Sequence, residues 1–245
     1  MIDQILAFIE ERKDRIKTNG SNELLKAAAK AFNDASNSAQ YSYNFSWMGR
    51  PIIQYPQDMI AMQELIWEIK PDLIIETGIA HGGSLIYYAS ILELIGHGEV
   101  LGIDIDIREH NKQEIEKHPM FKRIQMIQGS SIDDKIVQEV AKFASGKQKI
   151  MVCLDSNHTH DHVLNEMNMY SPFVSKNSYL VVFDTIVEDL PENYFGQNRH
   201  WGIGNNPKTA VQEFLENNKD FTIDSSIDNK LLISVAPSGY LKRIN

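Results

Sequence analysis

Acids, glycines and hydroxyl residues gather at a few points of this chain in patterns that suit ligand chemistry. The run Glu76-Thr77-Gly78-Ile79-Ala80-His81-Gly82-Gly83-Ser84 joins a carboxylate to a glycine turn. Glycines let backbone approach a ligand closely. Where such a turn opens a helix, the free N–H groups there attract an anionic group such as a carboxylate. Glu76 is placed to hold a cationic or hydroxyl group beside it. No Lys-Ser/Thr follows the glycines, so the run is not a phosphate-binding P-loop, and the spacing of Gly78, Gly82 and Gly83 is not the dinucleotide G-x-G-x-x-G. Asp104 lies 26 residues after Gly78, with Asp106 beyond it. An acid there suits ribose hydroxyls, or serves as a turn or helix-cap carboxylate. Ser130 and Ser131 after Gly129 either line an adenine pocket or cap the helix starting near Asp133.

A second group is Asp155-Ser156-Asn157-His158-Thr159-His160-Asp161-His162. Three alternate histidines beside two aspartates resemble a metal-ligand set. The run is one residue short of the H-x-H-x-D-H pattern of zinc hydrolases, and that fold would want antiparallel strands before it. Read instead as a strand end followed by a helix, the run aims Asp155 and His158 at a site. At least one of His160 and His162 is then structural or solvent-facing. Asp184 follows Asp155 by 29 residues and ends the next apolar run, with Glu188 and Asp189 beyond. Two carboxylates on neighbouring strand ends repel unless a cation or proton intervenes. A hard ion such as Mg²⁺ on Asp155 and Asp184, with Glu188 as a further oxygen donor, resolves that. An imidazole at His158 is then placed to take a proton from a substrate hydroxyl.

The elements that must position these residues can be read from hydropathy. Helices are expected over 3–18 and 22–35, then a long connection over 36–57 with at most one short strand. From there strands and helices alternate. Asp58 is expected to cap a helix reaching Ile69, and strands follow at 73–76, 100–104, 124–127, 150–154 and 179–183. Helices at 84–95, 109–117, 133–144 and 160–173 separate them, and Pro207 opens a last helix. Apolar strands alternating with helices mean βαβ units around a parallel sheet, whose ligands sit at the carboxyl ends of the strands. The runs 221–223 and 231–235 are expected to close the sheet as an antiparallel pair. The fold expected is therefore α/β, a Rossmann-like doubly wound sheet of seven mostly parallel strands with an antiparallel terminal strand. Residues 1–57 form an N-terminal helical cap segment and 58–245 the Rossmann-like part. An acid, a glycine turn and a second acid form the layout of S-adenosylmethionine sites. The terminal strand pair favours such an enzyme over a nicotinamide one.

Composition narrows the class of partner. Among 245 residues, 24 basic against 33 acidic side chains leave a formal charge of −9. A negative field repels phosphate backbones, so nucleic acid is not the expected partner. The single cysteine, Cys153, excludes an intrachain disulfide and fits a reducing cytoplasm. No segment reaches the roughly 20 apolar residues of a membrane helix, and the N-terminus, with Asp3, Glu10 and Glu11, does not read as a signal peptide. Ile2, Ile5, Leu6 and Ile9 repeat at helical spacing, as in an amphipathic helix docked on the body, capping the site or meeting another subunit, and a homo-oligomer is expected.

Taken together, Glu76-Thr77-Gly78…Gly82-Gly83-Ser84, Gly102-Ile103-Asp104-Ile105-Asp106, Leu154-Asp155-Ser156-Asn157-His158, Tyr179-Leu180-Val181-Val182…Asp184-Thr185 and Trp201-Gly202…Gly204-Asn205-Asn206-Pro207 resemble the cephalosporin hydroxylase family. Members of that family have the Class I methyltransferase fold, and it is similar to macrolide-sugar and rhamnosyl O-methyltransferases. The resemblance covers about residues 45–237. It implies S-adenosylmethionine at the glycine turn and Mg²⁺ at the last two strand ends, with Asp155 and Asp184 matching metal ligands and His158 the general base. It also implies a small-molecule or saccharide acceptor. Related sites carry Glu-Asp where this chain has Phe183-Asp184, which removes one carboxylate. The leading expectation is a Mg-assisted O-methyltransferase. The alternatives are a cofactor-binding subunit without methyl transfer and, behind it, a zinc hydrolase.

Overall fold

The structure, a computed structural model, describes residues 2–191, 194 and 199–245. Helices α1 (Ile2–Gly20) and α2 (Glu23–Ser38) lead in, and Asn22 caps α2 by accepting from the Leu25 N–H at 3.1 Å. Two short strands follow, β1 (Phe45–Trp47) and β2 (Arg50–Ile52), paired antiparallel. Only one short strand was expected here. Met48 and Gly49 both take positive φ, 45° and 88°, as a two-residue hairpin turn requires.

The remaining elements are α3 (Pro56–Ile69), β3 (Leu73–Thr77), α4 (Gly83–Ile95), β4 (Glu99–Asp104), α5 (Glu109–Glu116) and β5 (Ile124–Gln128). After them come α6 (Asp134–Ala144), β6 (Ile150–Leu154), α7 (His160–Tyr170), β7 (Tyr179–Val182), α8 (Pro207–Asn217), β8 (Phe221–Ile223), α9 (Ser225–Leu231) and β9 (Tyr240–Arg243). Seven strands form one sheet in the order β5-β4-β3-β6-β7-β9-β8. All neighbours are parallel except β9, which runs antiparallel to both β7 and β8. The order turns back beside β3 and β6, whose carboxyl ends therefore flank the crevice of a doubly wound sheet. Strands β3, β6 and β7 are buried along their whole length. Helices cover both faces of the sheet, and Ile74, Ile86, Met151 and Val181 pack in one core while Ile75, Val152, Met167 and Phe214 pack in the other.

Two expectations fail in the last third and in α3, and one contact explains both. The run Leu231-Leu232-Ile233-Ser234-Val235 is not a strand. It begins as the end of α9, and Leu232 takes φ +60°, which interrupts an extended backbone. Asp58 is not a helix cap, because Tyr55 occupies that position with Pro56 after it. Instead the Asp58 carboxylate is buried and accepts from Ser234 Oγ (2.6 Å), the Val235 N–H (2.9 Å) and the Tyr240 hydroxyl (2.8 Å). Backbone that would have joined the sheet thus bonds a carboxylate, and burial pushes Asp58 up to about 6. The antiparallel strand comes later, at β9, and lies inside the sheet with β8 at the edge. Among the described residues no helix is long and apolar enough to cross a membrane.

Candidate active site

The site begins where β3 ends. Gly78 has φ +90°, and a Cβ there would lie 2.0 Å from the Asp155 carbonyl oxygen. The turn and the end of β6 therefore approach more closely than any other residue would allow. Gly83 opens α4, where a Cβ would lie 2.1 Å from the Pro51 carbonyl oxygen, so β2 crosses directly over the helix start. Gly82 is the cap residue of α4 and faces Ile115 of α5 rather than the cleft. Arg50 holds the turn from outside, donating from Nε to the His81 carbonyl at 3.0 Å and from Nη2 to Asn111 Oδ1 at 3.0 Å. Nothing in the sequence pattern singles out Arg50 or Asn111 for this task.

A cleft of about 280 Å³ opens at this edge, lined by Gly78, Ser84, Asp155, His158, Asp184 and Trp201 among others. A second hollow of about 140 Å³ adjoins it across Gly78 and Ser156, lined by Asp104, Ile105, Ser130, Ser131 and His162. The Asp104 carboxylate accepts from the Ile79 N–H at 2.7 Å, the Ala80 N–H at 3.3 Å and the Asp106 N–H at 2.9 Å, so it also shapes the glycine turn. Asp133, not a serine, caps α6. Ser131 meets His162 Nε2 at 3.2 Å.

Glu76 lies buried beneath the cleft. Its Oε2 accepts from Ser84 Oγ at 2.7 Å and its Oε1 has no partner. Burial pushes its pKa up to about 8, only partly offset by hydrogen bonding to Ser84 and Tyr88. A buried acid with one unpaired oxygen fits a cationic group arriving at the turn.

Asp155, His158 and Asp184 each offer a ligand atom, all within 4.8 Å of one another. His158 Nδ1 is 3.4 Å from Asp184 Oδ2, and the His158 ring meets Trp201 edge-on at 5.0 Å. Asp184 takes φ +56°, a left-handed conformation that aspartate tolerates better than most residues. Burial first, and the Asp184 charge second, drive the Asp155 carboxyl well above the usual range. A divalent cation relieves that repulsion, so the donor set fits Mg²⁺.

One expectation needs correction here, and the reading of His160 and His162 as at least partly structural agrees with their contacts. Glu188 is turned away from this group, its Oε2 accepting from the Gly204 N–H at 2.8 Å and from Asn206 Nδ2. It organises the segment before α8 and does not replace a missing metal ligand. His160 ties α7 to α8 through Thr209 Oγ1 (2.8 Å) and Glu213 Oε2 (3.1 Å). His162 sits among Ser131, Ser156 and the fully buried Glu166. With both histidines engaged elsewhere, the zinc constellation has no ligand set among the described residues. Phe183 packs into the core.

The family description Rhamnosyl O-methyltransferase/CmcI fits residues 39–244. The chain belongs to the rhamnosyl O-methyltransferase/CmcI family. A rhamnosyl O-methyltransferase of Mycobacterium bovis is 30% identical over 206 residues, spanning 81% of this chain and 78% of that protein. The chain superposes on an apo CmcI structure with TM-score 0.58 at 17% identity, covering 83% of this chain and 77% of that one. A CmcI structure with Mg and SAM gives TM-score 0.56 at 18% identity, covering 83% and 78%. In this family member, the match begins just ahead of β1. It therefore takes in the hairpin over the glycine turn as well as the sheet.

Proposed function

We propose that the chain methylates a hydroxyl of a saccharide or sugar-bearing small molecule, with Asp155 and Asp184 holding Mg²⁺ and His158 taking the proton. The chain is an S-adenosylmethionine-dependent, Mg-assisted O-methyltransferase, its family and curated relatives being named for O-methyl transfer and a CmcI structure for Mg and SAM. The saccharide is carried over from the rhamnosyl relatives. When bound, the sulfonium supplies an electrophilic methyl and the ion a positive charge that favours the deprotonated acceptor oxygen.

The observation that carries the reading is the meeting of Asp155, His158 and Asp184 at one end of the glycine-turn cleft. Asp184 orients the imidazole through Nδ1, which leaves Nε2 to accept the hydroxyl proton. Gly78 and Ser156 line both hollows, so the nucleoside belongs on the Asp104, Ser130 and Ser131 side and the methionyl part on the Ser84 side. Glu76 meets the cofactor's amino group through its unpaired oxygen. Trp201 and Tyr43 wall the acceptor end with aromatic surface, which suits the apolar face of a sugar ring. Arg199 stacks over Trp201 at 4.5 Å.

The test is incubation with methyl-labelled S-adenosylmethionine and a panel of rhamnosyl and other glycosides, with Mg²⁺ or with chelator. Labelled methyl ether formed only with Mg²⁺ is the expected product. Labelled cofactor bound but never turned over on any glycoside would remove the saccharide reading.

A further inference from the structure

Gln54 stands on the segment between β2 and α3 and is 7% exposed. Its Nε2 donates to Asp155 Oδ2 at 3.4 Å. Its Oε1 is buried and has no hydrogen-bond partner. Native interiors seldom leave a carbonyl oxygen so, unless a ligand completes it. Gln54 lines the same cleft as Ser84 and Asp155. The Ser84 hydroxyl rests on Glu76, whose Oε1 is likewise buried and unpaired. Gln54 thus brings an unmatched acceptor to this end of the cleft beside the Asp155 carboxylate, with Glu76 buried beneath it. The group such a corner selects is a cation carrying several hydrogen-bond donors, which is an ammonium.

The segment that delivers Gln54 is fixed by contacts of its own. The Pro51 carbonyl lies against Gly83 where no side chain fits. Arg50 grips the His81 carbonyl, and Trp47 Nε1 donates to Ser90 Oγ at 3.0 Å. Chain that precedes the sheet is therefore clamped over the glycine turn and forms part of the cleft's wall.

We propose that Gln54 is a recognition and positioning residue: its Oε1 accepts from the α-ammonium of the cofactor's methionyl group while its Nε2 holds the Asp155 carboxylate. The inference rests on the methyltransferase reading and extends it to the N-terminal hairpin. It couples the two halves of the site, because one amide touches both the amino-acid part of the cofactor and a metal-side carboxylate.

The experiment is calorimetric binding of two probes, S-adenosylhomocysteine and its analogue lacking the α-amino group, to the full chain in chelator and in Mg²⁺. The wild-type chain prefers the amino-bearing probe. In Gln54→Met that preference drops by about 10–100-fold, the worth of one charge-assisted hydrogen bond. In Gln54→Glu, which keeps an acceptor at the same reach, the preference is retained. Melting temperatures of both variants report folding independently. Equal weakening of both probes in Gln54→Met overturns the proposal, as does an effect confined to Mg²⁺, which would place Gln54 on the metal. Loss of the preference in a folded Gln54→Glu overturns it too. A wild-type chain that binds neither probe overturns the methyltransferase reading beneath it.

Discussion

Glu76→Gln separates the acid's two tasks, burial in the free protein and recognition in the complex. Burial holds Glu76 near 8 rather than at its ordinary 4.5, so the free protein carries it protonated at pH 7. A carboxyl whose folded pKa is raised binds its proton more tightly in the native state. Its favourable contribution is complete below the unfolded pKa and is lost as pH rises through the folded one. At about 1.4 kcal/mol per pH unit, full ionisation costs up to about 5 kcal/mol, of which about 2 kcal/mol falls between pH 6 and 8. Asp58, raised to about 6, has largely finished its own loss by then. Glutamine keeps the acceptor for Ser84 and cannot ionise. Urea unfolding followed by tryptophan fluorescence at pH 6, 7 and 8, without metal, should show the variant gaining about 2 kcal/mol on the wild type across that window. An offset between the two proteins that does not change with pH would refute the reasoning. Binding should move the other way, because an arriving ammonium draws the proton off Glu76. The variant should then bind S-adenosylhomocysteine about 10–100-fold more weakly at pH 8.

Other substitutions address the remaining parts of the site. His158→Ala should lower turnover about 10²–10⁴-fold while leaving S-adenosylhomocysteine affinity unchanged, as steady-state rates and calorimetry would show. Asp184→Asn should abolish Mg²⁺ dependence and also loosen the hold on His158, so its loss of activity should not be restored by excess Mg²⁺. Gly78→Ala, at φ +90° and with its Cβ 2.0 Å from a carbonyl oxygen, should cost about 2–4 kcal/mol in chemical denaturation.

Much of the candidate site was legible because it lies at the ends of strands that announce themselves. Apolar runs of four to six residues stop at Thr77, Asp104, Leu154 and Val182, and residues at or beside each stop line the two hollows. The parts that stayed hidden are tertiary. Asp58 looked like a helix cap because it is acidic and near a helix start, yet its partners are 176 to 182 residues away. The run ending at Val235 looked like a strand because it is apolar, yet its backbone answers that same carboxylate. Glu188 looked like a spare metal ligand from its distance to Asp184 alone, and the loop geometry that turns it to Asn206 leaves no periodic trace. Gln54 and Arg50 carry no signal of their own, because a glutamine and an arginine beside prolines acquire meaning only when the hairpin folds over the glycine turn.

The central claim, that cofactor and Mg²⁺ share the cleft formed by the glycine turn, Asp155 and Asp184, is tested most directly by sequential calorimetry on metal-stripped protein. S-adenosylhomocysteine is titrated first and Mg²⁺ then added to the complex, for the wild type and for the Asp155→Asn, Asp184→Asn double variant. The account predicts low-micromolar cofactor binding and a single Mg²⁺ heat that is absent from the double variant. No cofactor heat, or the same Mg²⁺ heat in both proteins, would contradict it.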